Sequence, residues 1–404
     1  MAVPNPRRSI ALNPLNHFIL LGVIYFAFIS LGLPDSVLGV AWPSMRVSLG
    51  QSLEAVGLIT LVLTVCSAVS SFVSGAVIKR LGTGPLVIVS GALTGLALLG
   101  FSVAPSFGVL LLLAIPLGLG AGSVDAALNH FVAAHYSSRH MNWLHGCWGV
   151  GATLGPVIMG AALAGTLGSS SAIGWAGGYR HIALIQLGLA LLFLLTLPLW
   201  KQERSAPTEE HHHDSFVRKP LHPLAPPLAA SLYLAYAAVE VSTGLWAASI
   251  LVEGRHVASS TAGLWVSCFF GAIMVGRFAT GLVAQRVGNR HLVRYALAAA
   301  AVGAALFSLD GLPQSVSLAG LIVLGLGCAP IYPSLMHETA RRFDAETARK
   351  VIGRQVGFAY VGGALVPAGM GLLAAAFGLG AIMPAVLLAV ITLLVLSEVL
   401  NAIT

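Results

Sequence analysis

Twelve stretches of this chain each run for roughly 20 residues with almost no charge, the length a helix needs to cross the hydrocarbon of a bilayer. They read at residues 16–41, 53–78, 84–104, 107–134, 141–166 and 181–200, then at 226–251, 261–284, 291–309, 315–338, 351–377 and 379–402. Composition points to lipid as the solvent: 57% of the 404 residues are hydrophobic and only 9% are charged. A soluble domain carries about 25% charged residues to coat its surface, so this chain has too few to face water on all sides. The expected fold class is an all-α membrane protein of twelve transmembrane helices.

The formal net charge of +7 is distributed in a way that argues against nucleic acid as a partner. Lys and Arg gather in alternate loops: Arg7 and Arg8; Lys79 and Arg80; Arg139; Lys201, Arg204, Arg218 and Lys219; Arg286, Arg290 and Arg294; Arg341, Arg342, Arg349 and Lys350. The intervening loops hold only Arg46, Arg180 and Arg255. That alternation is the positive-inside pattern. It places both termini in the cytoplasm and implies an integral membrane protein, expected in a bacterial inner membrane. The first run follows Arg7 and Arg8 but continues past a signal-peptide core, lacks a small-residue cleavage site and precedes eleven more, so it reads as a span. Cys66, Cys147, Cys268 and Cys328 fall inside apolar runs, without disulfide or metal spacing.

Between the sixth and seventh runs lies the longest polar segment, Lys201 to about Pro223. It divides the chain into an N-terminal six-helix bundle (residues 1–200), a cytoplasmic linker (201–225) and a C-terminal six-helix bundle (226–404). His211, His212 and His213 sit in this linker without spaced partners and read as solvated chain; no metal site is expected. The halves repeat one another. Gly75-Ala-Val-Ile-Lys79-Arg80-Leu-Gly82 after the second run matches Gly281-Leu-Val-Ala-Gln285-Arg286-Val-Gly288 after the eighth. Gly118-Leu-Gly120 matches Gly325-Leu-Gly327, His130 falls on His337, and Gly151 and Pro156 match Gly362 and Pro367, all at nearly one offset. A parallel repeat of two six-helix halves is a transporter architecture.

The Gly-x3-Lys/Gln-Arg-x-Gly loops after the second and eighth runs resemble the cytoplasmic signature of the major facilitator superfamily, and the resemblance covers the whole chain. It implies two pseudo-symmetric bundles that rock around one central cavity, with Lys79, Arg80 and Arg286 in gating or ion-pair positions. The first loop departs from the pattern in lacking an acidic residue and ending in Thr83-Gly84. A narrower resemblance is to the fucose:proton symporter and related sugar permeases. It rests on Gly32-Leu-Pro34-Asp35-Ser36, on Gly118-Leu-Gly120-Ala-Gly-Ser-Val-Asp125-Ala-Ala-Leu-Asn129, and on Asn142-Trp143-Leu144-His145. It implies that Asp35 and Asp125 are the carboxylates of binding and proton coupling. Gly151-Ala-Thr-Leu-Gly155-Pro156-Val-Ile-Met-Gly160 is also similar to the Gly-Pro motif of drug:proton antiporters, although small residues at this spacing equally allow close helix packing.

Ionisable groups within the apolar runs are the informative exceptions, because each costs roughly 2.5–3.5 kcal/mol at the centre of a membrane helix. Asp35, Asp125, Glu240 and Arg277 stand out, and must face a cavity or one another. Helical periodicity puts Phe28, Gly32, Asp35 and Gly39 on one stripe, Gly118, Gly122, Asp125 and Asn129 on a second, and Tyr233, Tyr236, Glu240 and Thr243 on a third. By the resemblance, the first, fourth, seventh and tenth helices line the cavity. Asp35 reads as a protonatable ligand or as a cap on a break at Pro34; Asp125 reads as a coupling group or as the ion-pair partner of Arg277. Glu240, beside Tyr236, suits a sugar or a lipophilic cation. Asn129, His145, Trp148 and Tyr332, which lies between Pro330 and Pro333 where the tenth helix should bend, complete the candidate binding residues. Trp246 suits an interface anchor.

No nucleotide-binding loop or hydrolase elbow occurs in its required context, so the chain is not expected to be an enzyme or to hold a cofactor. A carboxyl group that is alternately wetted and occluded can take up and release a proton. The expected function is secondary active transport by alternating access: symport of a sugar or similar small polar solute with a proton, or with sodium as coupling ion. A drug or metabolite exporter is the rival reading, and a non-transporting sensor or scaffold a further one. The expected partners are the lipid bilayer and a small-molecule substrate, with the protein a monomer.

Overall fold

The computed structural model describes residues 14–136, 138–166, 174–203 and 222–404. Arg7 and Arg8, and the linker residues Arg204, His211, His212, His213, Arg218 and Lys219, lie outside the described residues, as do the side chains of Arg139, Asn142, Lys201 and Arg349. Among the described residues every regular element is a helix. Twelve are long and apolar enough to cross a membrane. Spans 1 to 6 are Asn16–Ser48, Leu53–Leu81, Thr83–Phe101, Phe107–Val132, Trp143–Leu163 and Trp175–Leu195. Spans 7 to 12 are Ala225–Gly254, Ser259–Ala284, Asn289–Ser308, Gln314–Arg342, Glu346–Phe377 and Leu379–Ile403.

Span 6 is the one displaced from its expected position of 181–200. It begins at Trp175 and ends at Leu195, and a short separate helix, Leu197–Glu203, follows. Gly177, Gly178, Arg180 and His181 dilute the apolar signal of its first turns, but Tyr179 and Ile182 are buried there and draw those turns into the bundle.

Two spans are interrupted. Span 1 is a helix to Asp35 and a second helix from Val37, with Pro34 in the last turn of the first. Span 10 stops at Cys328 and resumes at Ile331 across Ala329-Pro330, because proline removes a helix hydrogen bond and crowds the preceding turn. Span 11 starts on a capping residue: the Asp344 carboxylate accepts the amides of Thr347 and Glu346 at 3.0 and 3.1 Å. These bonds favour the charged form and hold its carboxyl below the usual carboxylate range.

Within each half the helices pack backbone to backbone. A Cβ built on Gly122 of span 4 would lie 2.0 Å from the Ser67 carbonyl oxygen of span 2, and one on Gly151 of span 5 would lie 2.1 Å from that of Ile29 in span 1. The small residues of the span 5 motif are thus packing positions. Span 7 is the most enclosed helix, buried almost continuously from Ala235 to Ser249, because span 11, span 12 and the second segment of span 1 all lie against it.

The halves meet along spans 5 and 8 and along spans 2 and 11. The end of the bundle bearing Lys79, Arg80, Arg286 and Arg341 is its basic end. At the opposite, far end the seam is tight: Gly39 abuts Gly244 and Leu245, Gly57 abuts Ala368, and Gly371 abuts Glu54. Arg46 of span 1 forms a two-pronged ion pair there with Glu253 of span 7. Toward the basic end, Gly75, Gly353 and Gly357 have no atom of another described helix within 4 Å of a built Cβ.

Overpacking a filled helix seam costs about 1–3 kcal/mol. Gly122→Ala is therefore expected to lower the thermal unfolding midpoint of the purified protein. Gly188→Ala, at a site with open space, should leave the midpoint unchanged or raise it, and equal midpoints for the two variants would refute this packing.

Candidate functional site

Four ionisable groups read from the sequence converge toward one another from both halves. Asp35 closes the first segment of span 1 and is exposed although it lies deep in the bundle, so it faces a water-accessible cavity. It does not cap the helix break. Its Oδ2 accepts the indole Nε1–H of Trp148 at 2.8 Å. This pairing follows from the contact of spans 1 and 5, where Gly32 and Gly151 let the two backbones touch.

Asp125 is half-buried on span 4 and accepts the side-chain amide of Asn129 at 2.9 Å, the amide also reaching the Asp125 main-chain carbonyl at 2.9 Å. Asn129 thus serves the acid one turn before it. Among the described residues no basic side chain forms a salt bridge with Asp35 or Asp125.

In the other half, Glu240 accepts the Tyr236 hydroxyl, its neighbour one turn earlier on span 7. Arg277 of span 8 donates to Glu240 Oε1 and Oε2 at 3.3 and 3.4 Å and lies 3.4 Å from the Tyr236 oxygen. This corrects the expected pairing of Arg277 with Asp125. Glu240 is on the adjacent helix of the same half, while Asp125 stands across the cavity on span 4, held by Asn129. The ion-pair side chains retain only 12% and 11% exposure, so each ion depends on the other for compensation.

The two halves are joined through Trp148. Its ring lies 5.0 Å from the Arg277 guanidinium carbon, within cation–π range, while its N–H is bonded to Asp35. Phe270 of span 8 stands edge-on to the same indole at 6.2 Å. A continuous chain therefore runs Asp35–Trp148–Arg277–Glu240–Tyr236. Tyr332, two residues past the break in span 10, packs against Tyr233 and Tyr236 with ring centres 4.7 and 5.9 Å apart. Its carbonyl accepts the Tyr233 hydroxyl at 2.8 Å. The half-buried His145 packs edge-on against Phe28 at 5.8 Å.

Other expected residues are not brought to this place. Lys79, Arg80 and Arg286 are exposed at the basic end. His130 and His337 are also exposed, His337 bonding Asn289 at 3.0 Å. Trp246 is not an interface anchor: it is fully buried and donates to the Pro367 carbonyl at 3.0 Å. Among the described residues no three His, Cys, Asp or Glu side chains converge on a metal site.

Four further side chains at or between the halves carry no functional signal in the sequence. Tyr360 of span 11 and Ser71 of span 2 share a hydrogen bond of 3.0 Å across the halves, and Ser71 also donates to the Gly122 carbonyl. Glu253 ends an apolar run and reads in the sequence as a loop acid. Phe270 carries no sequence signal beyond its apolarity.

Breaking a buried pair by removing one partner costs about 3–5 kcal/mol, whereas replacing both is tolerated far better. Glu240→Gln is expected to lower the unfolding midpoint more than the double variant Glu240→Gln/Arg277→Met. A thermal-unfolding cycle in which the two losses simply add would refute a coupled pair.

A family model, the Major Facilitator Superfamily, matches residues 24–239 and again 228–401. Among solved structures, similarity extends to a bacterial homolog of the human lysosomal transporter Spinster in an inward-facing and occupied conformation. The TM-score is 0.74 at 13% identity, covering 97% of this chain and 98% of that one. The same homolog, inward-facing and unoccupied, gives a TM-score of 0.72 at 14% identity with 97% of each chain covered. A mutant of the nucleoside transporter NupG gives 0.72 at 13% identity, over 94% of this chain and 99% of that one. At these identities the likeness concerns the fold. No curated protein sequence matches the chain.

Proposed function

The chain belongs to the Major Facilitator Superfamily, and from that premise we propose that it is a secondary active transporter working by alternating access, in which a proton moves together with a sugar or similar small polar solute. The observation that carries this reading is the chain of contacts from Asp35 through Trp148 and Arg277 to Glu240. It crosses from one half to the other at the place where the halves must move.

Each part has a chemical use. Asp35 is wet and lacks a cationic partner among the described residues, which suits a group that exchanges a proton as access alternates. Protonation would convert a charge-assisted hydrogen bond from Trp148 into a neutral one of about half the strength. The indole would then be freer to move relative to Arg277. On the other wall, the Arg277–Glu240 pair offers donors and an acceptor to hydroxyl groups, and the Trp148 and Tyr332 rings offer apolar faces to a sugar ring. A few placed polar groups on an aromatic lining are the usual make-up of a small-molecule site. One similar structure is described as a nucleoside transporter, and a nucleoside carries a sugar ring.

With the basic end in the cytoplasm, as the loop charges indicate, the tight far-end seam and the open space at Gly75, Gly353 and Gly357 of spans 2 and 11 suit an inward-facing state. A second reading, export of a lipophilic cation, is favoured by the two acids without basic partners beside aromatic rings.

The solute class is tested by thermal stabilisation of the purified protein with sugars, nucleosides and lipophilic cations. A ligand at 100 times its Kd adds ~2.7 kcal/mol. Stabilisation confined to lipophilic cations would overturn the sugar reading in favour of export. In proteoliposomes with the solute so identified, Asp35→Asn is expected to abolish accumulation driven by a proton gradient while preserving solute counterflow. Trp148→Phe keeps a ring over Arg277 but loses the N–H; it should cut that accumulation by tenfold or more, the worth of one charge-assisted hydrogen bond of about 1.5–3 kcal/mol. Full proton-driven accumulation in both variants would contradict the coupling scheme.

A further inference from the structure

Away from the cavity, the basic ends of spans 9, 10 and 12 carry a cluster whose charges do not balance. Glu338 of span 10 is almost fully buried and is approached by three guanidinium groups: Arg341 at 2.8 Å, Arg290 at 3.3 Å and Arg342 at 3.7 Å. Beside them Arg294 of span 9 pairs with Glu398 of span 12 at 2.5 Å. Four guanidiniums thus face two carboxylates, leaving two positive charges over.

Among the described residues no further carboxylate forms a salt bridge with these guanidiniums. Arg342 is 4% exposed at its side chain. It donates to Asn401 through one nitrogen and its Nε lies 3.7 Å from Glu338, but among the described residues neither Nε nor Nη1 makes a hydrogen bond. A buried cation with unsatisfied donors requires negative potential nearby. The neighbouring arginines present their charge outward, Arg290 with 43% and Arg341 with 65% of the side chain exposed. Asn289, bonded to His337 and 3.5 Å from Glu338, adds a polar amide at the same edge.

The surroundings indicate where the missing anion comes from. Arg290 and Arg294 are one turn apart on span 9, and the exposed stripe continues into Tyr295, at 63%, and Val302, at 55%. On span 12 the exposed face carries Leu388, Ile391, Val395 and Val399. Apolar side chains exposed along two membrane spans face acyl chains, so the arginines at their ends lie at headgroup level. Basic pockets between transmembrane helices at this depth hold anionic lipid headgroups.

We propose that the ends of spans 9, 10 and 12 form a binding site for the phosphate of an anionic phospholipid, held by Arg290 and Arg341 with the buried charge of Arg342 behind them. The site is independent of what the cavity transports. It would make the stability of the C-terminal half depend on acidic lipid, because Glu338 ties span 10 to Arg290 of span 9 and Arg342 ties it to Asn401 of span 12 at the same place.

The test uses full-length protein in neutral detergent, with phosphatidylglycerol, phosphatidylcholine or inorganic phosphate added, and reads the unfolding midpoint and bound lipid by native mass spectrometry. Phosphatidylglycerol is expected to bind and to raise the midpoint, phosphatidylcholine to do neither, and inorganic phosphate to have no effect at the same concentration. Arg290→Gln/Arg341→Gln should weaken phosphatidylglycerol binding roughly 30-fold, from about 1 kcal/mol per basic residue. Arg80→Gln, an exposed basic residue of the other half, should leave the lipid affinity unchanged. Equal binding of the two lipids, or equal losses in the Arg80 and paired variants, would overturn the site. An effect of phosphate matching that of phosphatidylglycerol would overturn the lipid as its occupant.

Discussion

Charge that lipid will not accept organises this protein. A carboxylate or guanidinium left against hydrocarbon costs kilocalories, and the acids and the arginine read from the sequence within the spans each have a hydrogen-bonding partner. Arg277 and Glu240 neutralise each other, Asp35 and Asp125 face a cavity with a neutral donor apiece, and Arg46 and Glu253 close on each other at the far end. The cavity exists where it does because two acids need water, and the far-end seam holds where opposite charges from the two halves meet.

Small residues make that arrangement possible. Where Gly32, Gly122 and Gly151 remove a side chain, helix backbones approach to contact, and the residues just along the helix are set opposite fixed partners. Trp148 reaches Asp35 for this reason. In a membrane the hydrophobic effect does not press helices together, so close van der Waals contact and interhelical hydrogen bonds decide their register. The two proline-containing breaks then place Asp35 and Tyr332 at interruptions of spans 1 and 10, where backbone and side chains can shift at lower cost than in a continuous helix.

Much of this was legible in the sequence because its signals are local. Twelve apolar runs, repeated Gly-containing loops and acids within apolar segments can each be read within a window of 20 residues, and eleven of the twelve spans occur close to where the runs are. Span 6 was misplaced because glycines and a charged residue dilute its first turns. The partners were harder to read. Arg277 could reach an acid on span 4 or on span 7 by helical depth alone, and choosing between them requires the rotation of span 8. The Arg46–Glu253 pair joins residues in opposite halves, and the Trp246 bond to Pro367 depends on how spans 7 and 11 cross. Trp148 was recognised as a site residue, but its contact with both Asp35 and Arg277 follows from packing that no single helix specifies.

On the proposed function, the halves alternate around the Asp35–Glu240 chain and protonation biases which end is open. The most direct measurement is the distance between spin labels at Leu81 and Val287, exposed residues at the basic ends of spans 2 and 8, in protein whose native cysteines have been replaced. Two distance populations are predicted, one shorter than in this structure, with a ratio that changes with pH and ceases to change in the Asp35→Asn variant. A single distance unaffected by pH would contradict the account.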